Sequence, residues 1–220
     1  MRPDDLLARV HALAARGPRV VLGIAGCPGA GKSTLAGWLA ARLTAAGLPA
    51  AWVPMDGFHL ADVELARLGR LDRKGAIDTF DADGYLALLR RLHAETAGVV
   101  YAPAFDRELE QPLAGAIAVP PSARVVVTEG NYLLVPDGAW RQVRGALTEA
   151  WFADADDDVR RERLVARHVR FGKAPDAARA WVSAVDEPNA RLIAATRGAA
   201  DLVVDLTTAD LGAAPAGGGA

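Results

Sequence analysis

The chain has 220 residues, a formal net charge of −2 at pH 7, and a hydrophobic content of 51%, enough for a packed globule although inflated by alanine. That length suits one α/β domain with a sizeable core, and the near-neutral charge argues against nucleic acid as the main partner. No apolar run approaches the roughly 18 residues of a membrane span. Acids (Asp4, Asp5) stand where a signal peptide would be basic, and the lone Cys27 excludes an internal disulfide, so the expected setting is the cytoplasm, with no membrane partner.

Leu6, Leu7, Val10 and Leu13 line one face of a short helix that Asp4 or Asp5 can cap. Residues 19–25 predict a buried strand. Gly26-Cys27-Pro28-Gly29-Ala30-Gly31-Lys32-Ser33 follows, a complete G-x-x-x-x-G-K-[ST] loop, and 32–46 continues as a helix, which is the context this motif requires. Its glycines let backbone N–H groups turn inward around phosphate oxygens, and the helix N-terminus adds partial positive charge. The nucleotide-binding stretch runs from Gly26 through Thr34. Lys32 is placed to reach the terminal phosphates of a nucleotide and Ser33 to ligate Mg²⁺. Cys27 is read as a small side chain turned away while its backbone serves the phosphate.

Gly47-Leu48-Pro49 ends the helix, and Ala50 to Pro54 predicts a short second strand. A polar, glycine-containing segment covers 56–80, Asp81 to Ala94 is helical, and Val99 to Tyr101 is a short strand leading to Phe105-Asp106-Arg107. Arg124 to Glu129 is a buried strand with a carboxylate at its end. Ala150 to Ala153 is another strand, 157–171 a very basic helix, Ala177 to Thr196 a further helix and Asp201 to Asp205 the last strand. The alternation argues for an α/β fold, a mostly parallel sheet with helices on both faces. One domain is expected over 1–211, with a small helical lid at about 160–180 and a disordered Gly/Ala/Pro tail at 212–220.

Three carboxylates fall at carboxyl ends of strands, where ligands of such sheets bind. A kinase needs one acid for Mg²⁺ and one to take the proton of the attacking hydroxyl. Asp56 and Glu129 fit these roles; Asp154 fits better as the start of the turn into the next helix. Arg160, Arg163, Arg167 and Arg170 form one stripe on their helix, and Lys173 follows the Gly172 that ends it. Such cations can neutralise a moving phosphoryl group. Trp181 is read as core rather than as a ligand stack. His59 either bonds the acceptor or caps a loop, and Asn189 either faces the site or bounds a helix.

The segments Met55-Asp56-Gly57-Phe58-His59, Arg73-Lys74-Gly75-Ala76-Ile77-Asp78-Thr79-Phe80-Asp81 and Thr128-Glu129-Gly130-Asn131-Tyr132, with the arginine stripe, resemble the uridine kinase/phosphoribulokinase/bacterial pantothenate kinase superfamily of P-loop kinases. Within it the chain is most similar to the nucleoside/nucleotide kinase-like branch often labelled fructose-transport-system kinase-like, over residues 19 to 206. The resemblance implies an ATP-dependent kinase acting on a hydroxyl of a nucleoside-, pantothenate- or sugar-like small molecule. It implies Asp56 as catalytic base, Glu129 near the metal, Asp78 as a contact to the acceptor hydroxyls, and Arg163, Arg167 and Lys173 as lid cations. It places Arg107 in the acceptor-binding region, and kinases of this kind often pair as homodimers. The alternative is a P-loop NTPase serving as a switch or chaperone-like ATPase for a protein partner. No Asn-Lys-x-Asp segment supports a guanine-reading switch.

Overall fold

The computed structural model of the chain describes residues 2–208 and 211; the expected tail at 212–220 lies outside the described residues. The strands are β1 (Val20–Gly26), β2 (Ala50–Pro54), β3 (Val100–Asp106), β4 (Gln111–Val119), β5 (Val125–Glu129), β6 (Glu149–Asp154) and β7 (Leu202–Asp205). The helices are α1 (Pro3–Ala14), α2 (Lys32–Ala45), α3 (Asp62–Arg67), α4 (Ala82–Ala94), α5 (Asp157–Arg170), α6 (Pro175–Trp181) and α7 (Glu187–Ala194). Among the described residues no helix is long and apolar enough to cross a membrane.

Five strands form one parallel sheet in the order β2-β5-β1-β6-β7. Strands β1 and β5 lie inside it and are buried along their whole length, which is why both read as unbroken apolar runs. The pleat divides the core between the faces. Leu22 and Ile24 meet α1 and α2 through Leu6, Val10, Leu35 and Leu39. Val21 and Ala25 meet α4 on the other face through Tyr85, Leu89 and Leu92. Arg2 rather than Asp4 or Asp5 is the N-cap of α1, with Asp5 at the third helical position accepting the Arg2 N–H at 3.1 Å, and Asp81 accepts the Gly84 N–H at 2.8 Å to start α4.

Three further expectations change. The strand expected at Val99 to Tyr101 is longer and pairs antiparallel with β4, making a separate hairpin. Strand β4 is mostly exposed and reads Gln-Pro-Leu-Ala-Gly-Ala-Ile-Ala-Val, with no clean alternation to announce it. The segment 56–80 contains α3 and several tight turns. The helix expected over 177–196 is α6 and α7 joined by a π-helical turn, Val182–Asp186, closed by the Glu187 N–H donating to the Val182 carbonyl. Pro188 explains the widening. It has no N–H for the Ala184 carbonyl, and its ring would clash there in an α-helix.

Arg19, just before β1, is 4% exposed and donates to five carbonyls, those of Leu92, Glu95, Pro120, Pro121 and Ala123, at 2.8–3.3 Å. It ties the end of α4 to the turn preceding β5, using all the donors a guanidinium offers. Arg19→Met should therefore lower unfolding stability by about 3 kcal/mol or more. Urea melts of the two proteins check this; a difference under about 1 kcal/mol would mean that water replaces the bonds.

Candidate active site

The carboxyl ends of β1, β5 and β2 stand side by side, with Glu129 in register with Ile24 on one side and with Pro54 on the other. The phosphate-binding loop leaves β1 there. Gly31, at φ 93°, adopts the left-handed conformation that turns the chain into α2. Gly29 also has positive φ, and a Cβ on it would collide with the Arg160 carbonyl of α5. Cys27 points away into the core, its thiol 3.5 Å from the Ala190 carbonyl and its pKa raised by burial. Its orientation matches the reading of a side chain turned from the loop.

Lys32 is 8% exposed and its Nζ donates to the Cys27 carbonyl at 3.0 Å. Burial lowers its pKa, and the charges of Glu129 and Asp56 oppose that shift. The Ser33 hydroxyl donates to Glu129 Oε1 at 3.0 Å. Glu129 is 4% exposed. Burial first, then the Asp56 charge, push its carboxyl up to about 7 against the pull of Lys32 and the Ser33 bond. Asp56 follows β2 in a tight turn and accepts from Arg107 at 3.0 Å. Burial would raise its pKa, but the positive groups His59, Arg107, Lys32 and Arg167 outweigh burial and hold it below the usual carboxylate range. Burial lowers the pKa of His59 itself, so near neutral pH the standing charges are the arginines and the lysine. Two acids in one site are thus driven apart, Asp56 held ionised and Glu129 inclined to keep a proton.

A cavity of about 400 Å³ opens over these groups. Lys32, Ser33, Asp56, His59, Arg107, Glu129, Arg167 and Lys173, all singled out in the sequence, line it. The His59 imidazole is 2.7 Å from the Asp56 carbonyl, and its ring lies 4.0 Å from that of Phe80 and 4.6 Å from that of Phe105. Asn189 also lines the cavity.

Other expected residues lie elsewhere. Asp78 is not at the cavity; its carboxylate is held by Arg73 at 2.8 Å and Arg70 at 3.4 Å. Arg163 is a turn earlier on α5 than Arg167. It donates to the carbonyls of Leu206 and Thr207, at 3.1 and 3.3 Å, instead of lining the cavity. Thr34, one residue beyond Ser33 on α2, is exposed and outside the lining. Asp154 pairs with Arg197 at 3.0 Å, and the helix start expected of it is made by Asp156, which accepts the Asp158 N–H. Arg160, the first of the stripe, is 3% exposed and braces the loop. It bonds Asp157, Glu187 at 2.7 Å and the Pro28 carbonyl at 3.3 Å.

Trp181 is not core. It lines the cavity with the Lys173 ammonium 4.6 Å from its ring. The sequence reading also passed over His168 and Asp186, which line the cavity with Nε2 and Oδ2 2.9 Å apart. It gave no role to Asp62, which pairs with Lys74 at 2.6 Å at the cavity wall. An acid immediately before Glu187-Pro188, in mid-helix, was the available signal for Asp186.

A hydroxyl and a carboxylate 3.0 Å apart, beside a lysine, suit a hard cation that keeps its other positions for water and phosphate oxygens. The chain is 40% identical to a candidate fructose transport system kinase from Silicibacter sp. TM1040 of known structure, with a TM-score of 0.86 over 93% of this chain and 99% of that one. It is 34% identical to a candidate uridine kinase of Schizosaccharomyces pombe over 77% of this chain and 74% of the relative. The chain belongs to the P-loop kinases of the uridine kinase/phosphoribulokinase superfamily. It is an ATP-dependent phosphotransferase by that membership. An ATP-dependent kinase-like protein of Aspergillus versicolor is 36% identical over 57% of this kinase and 77% of its own length. No protein-family model matches the chain.

The raised pKa of Glu129 has a consequence for stability. Because the folded value lies above the unfolded one, near 4.5, the protonated acid stabilises the fold in full below about pH 4.5, and this is lost as pH rises through 7. Relative to Glu129→Gln, the nucleotide-free wild type should lose about 3 kcal/mol between pH 4 and 8. Denaturant melts across that range check it; parallel curves would show that Glu129 ionises as freely folded as unfolded.

Proposed function

We propose that this kinase transfers the γ-phosphoryl group of ATP to a hydroxyl of a small molecule, with Asp56 as the base. The observation that supports this reading is the divided pair of acids beside the phosphate-binding loop, Asp56 held ionised and Glu129 bonded to Ser33. In the step proposed, Asp56 accepts the acceptor's hydroxyl proton as the oxygen forms its bond to the γ-phosphorus. The bond from that phosphorus to the β–γ bridging oxygen breaks, and ADP leaves. Lys32 and the loop amides hold the β- and γ-phosphates, and Arg167 and Lys173 meet the transferring group from the lid side. Ser33 and Glu129, directly or through water, hold Mg²⁺, which when bound neutralises phosphate charge.

The acceptor lies, in this reading, toward His59, Phe105 and Arg107. Arg107 holds the Asp56 carboxylate in place at 3.0 Å, and the aromatic wall suits a planar or polyhydroxylic molecule. Asp78 and Arg163 have no part in it, since their partners keep them from the cavity. Nucleoside-, pantothenate- and sugar-like alcohols are the classes proposed; relatives named for a uridine kinase and a fructose transport system kinase support the first and last.

ATP consumption measured across a panel of such alcohols should be strongly stimulated by one class. With that acceptor, Lys32→Ala and Asp56→Ala should each lower turnover by about 10³-fold or more while the melting curve stays cooperative. Near-normal turnover in Asp56→Ala would remove its role as base. Stimulation by a protein and by none of the alcohols would favour the switch-type NTPase instead.

A further inference from the structure

We propose that Asp186 is a positioning residue of this kinase, holding Arg167 over the transferring phosphoryl group by way of His168. The inference rests on the phosphotransfer reading above and assigns a role to a buried acid that reading does not use. Asp186 is 9% exposed and stands in the π-helical turn between α6 and α7. A carboxylate so buried is costly unless partnered. Its side-chain partner is His168, whose Nε2–H donates to Oδ2 at 2.9 Å. His168 is the residue next to Arg167 on α5, and all three side chains line the cavity.

The pair is more than a strut between the two helical arms. A strut already exists: Glu187, one residue on, bonds Arg160 at 2.7 Å and Arg161 at 3.2 Å, at the opposite end of α5 from the cavity-lining turn. The bond from Asp186 is made where α5 delivers Arg167, and its charge favours the Arg167 guanidinium while that of Arg107 across the cavity opposes it. Five lysines and arginines, Lys32, Lys74, Arg107, Arg167 and Lys173, share this small space. The bond from Asp186 to His168 fixes the turn of α5 that carries Arg167, at the end of a cavity that must receive a third phosphate. The wide turn forced by Pro188 carries Asp186 into this position, in keeping with the frequent use of such turns at functional sites.

The test needs no acceptor. The affinities of the full chain with Mg²⁺ for ADP and for a non-hydrolysable ATP analogue are measured by calorimetry. Asp186→Ala should lose at least about ten-fold in affinity for the analogue and less than about two-fold for ADP. Asp186→Asn, whose amide oxygen still accepts from His168, should recover most of the loss. A purely structural role would lower both affinities together with the melting temperature. Equal losses, no loss, or a loss that Asp186→Asn fails to recover would each overturn the proposal. If Asp186→Ala does not fold, His168→Ala removes the same bond and is read in the same way. Lys32→Ala, which should lose both ligands, separately tests the reading beneath: analogue binding unaffected by Lys32→Ala would sink the phosphate assignment whatever Asp186 does.

Discussion

Three charged groups, Lys32, Glu129 and Asp56, share the floor formed where β1, β5 and β2 end, and most of the structure serves to keep them there. Two of them are almost wholly buried, and neither would be tolerated alone. Lys32 is steadied by a carbonyl of its own loop, Glu129 by the Ser33 hydroxyl and Asp56 by Arg107. The balance differs between the acids: the cations around Asp56 outweigh its burial, whereas burial outweighs the partners of Glu129. Such a floor is stable only if the strands beneath it cannot move. The continuous burial of β1 and β5, with helices packed on both faces, provides that rigidity.

The same constraint explains the arginines. A stripe of four on one helix looks like a solvated face, yet its members do different things. Arg160 is an internal brace that joins the loop carbonyl of Pro28 to α5 and to Glu187 of α7. The close approach of Gly29 to α5 leaves no room for a side chain, so the loop and this helix behave as one unit. Arg163 fastens α5 to the segment after β7, and only Arg167 of these three is left to meet a ligand. A helix that must carry a cation over a phosphate is thus anchored by two arginines before it delivers the third.

What could be read from the sequence divides along the same line. The loop, the buried strands and the acids at their ends were legible because each combines local chemistry with a short-range pattern: glycines at fixed spacing, an apolar run, a carboxylate where the run stops. Asp78, Arg163 and Trp181 were not, because their placement depends on partners that no helix or strand spacing announces. Asp78 turns to Arg70 and Arg73, Arg163 to the carbonyls of residues 206 and 207, and Trp181 to Lys173. Strand β4 escaped for a different reason. Its middle is exposed and needs no alternating pattern, so its alanines and glycine carry no periodic signal.

That exposed hairpin matters for how the kinase could differ from its relatives. It supplies Phe105, Arg107 and Glu110 to the cavity wall, while its base is anchored in the main core by Val100, Ala102 and Val119. The floor and the loop are constrained by buried charge, and a change there has to be compensated across three strands. A change in the hairpin or in the Asp62–Lys74 pair meets mostly side chains and one turn. The wall meets the floor through the Arg107–Asp56 pair, the packing of His59 on Phe105 and the close approach of Gly57 to the Pro103 carbonyl. Exposed side chains of the wall can vary without moving the buried charges of the floor, which is one physical reason that a single scaffold can serve kinases with unlike substrates.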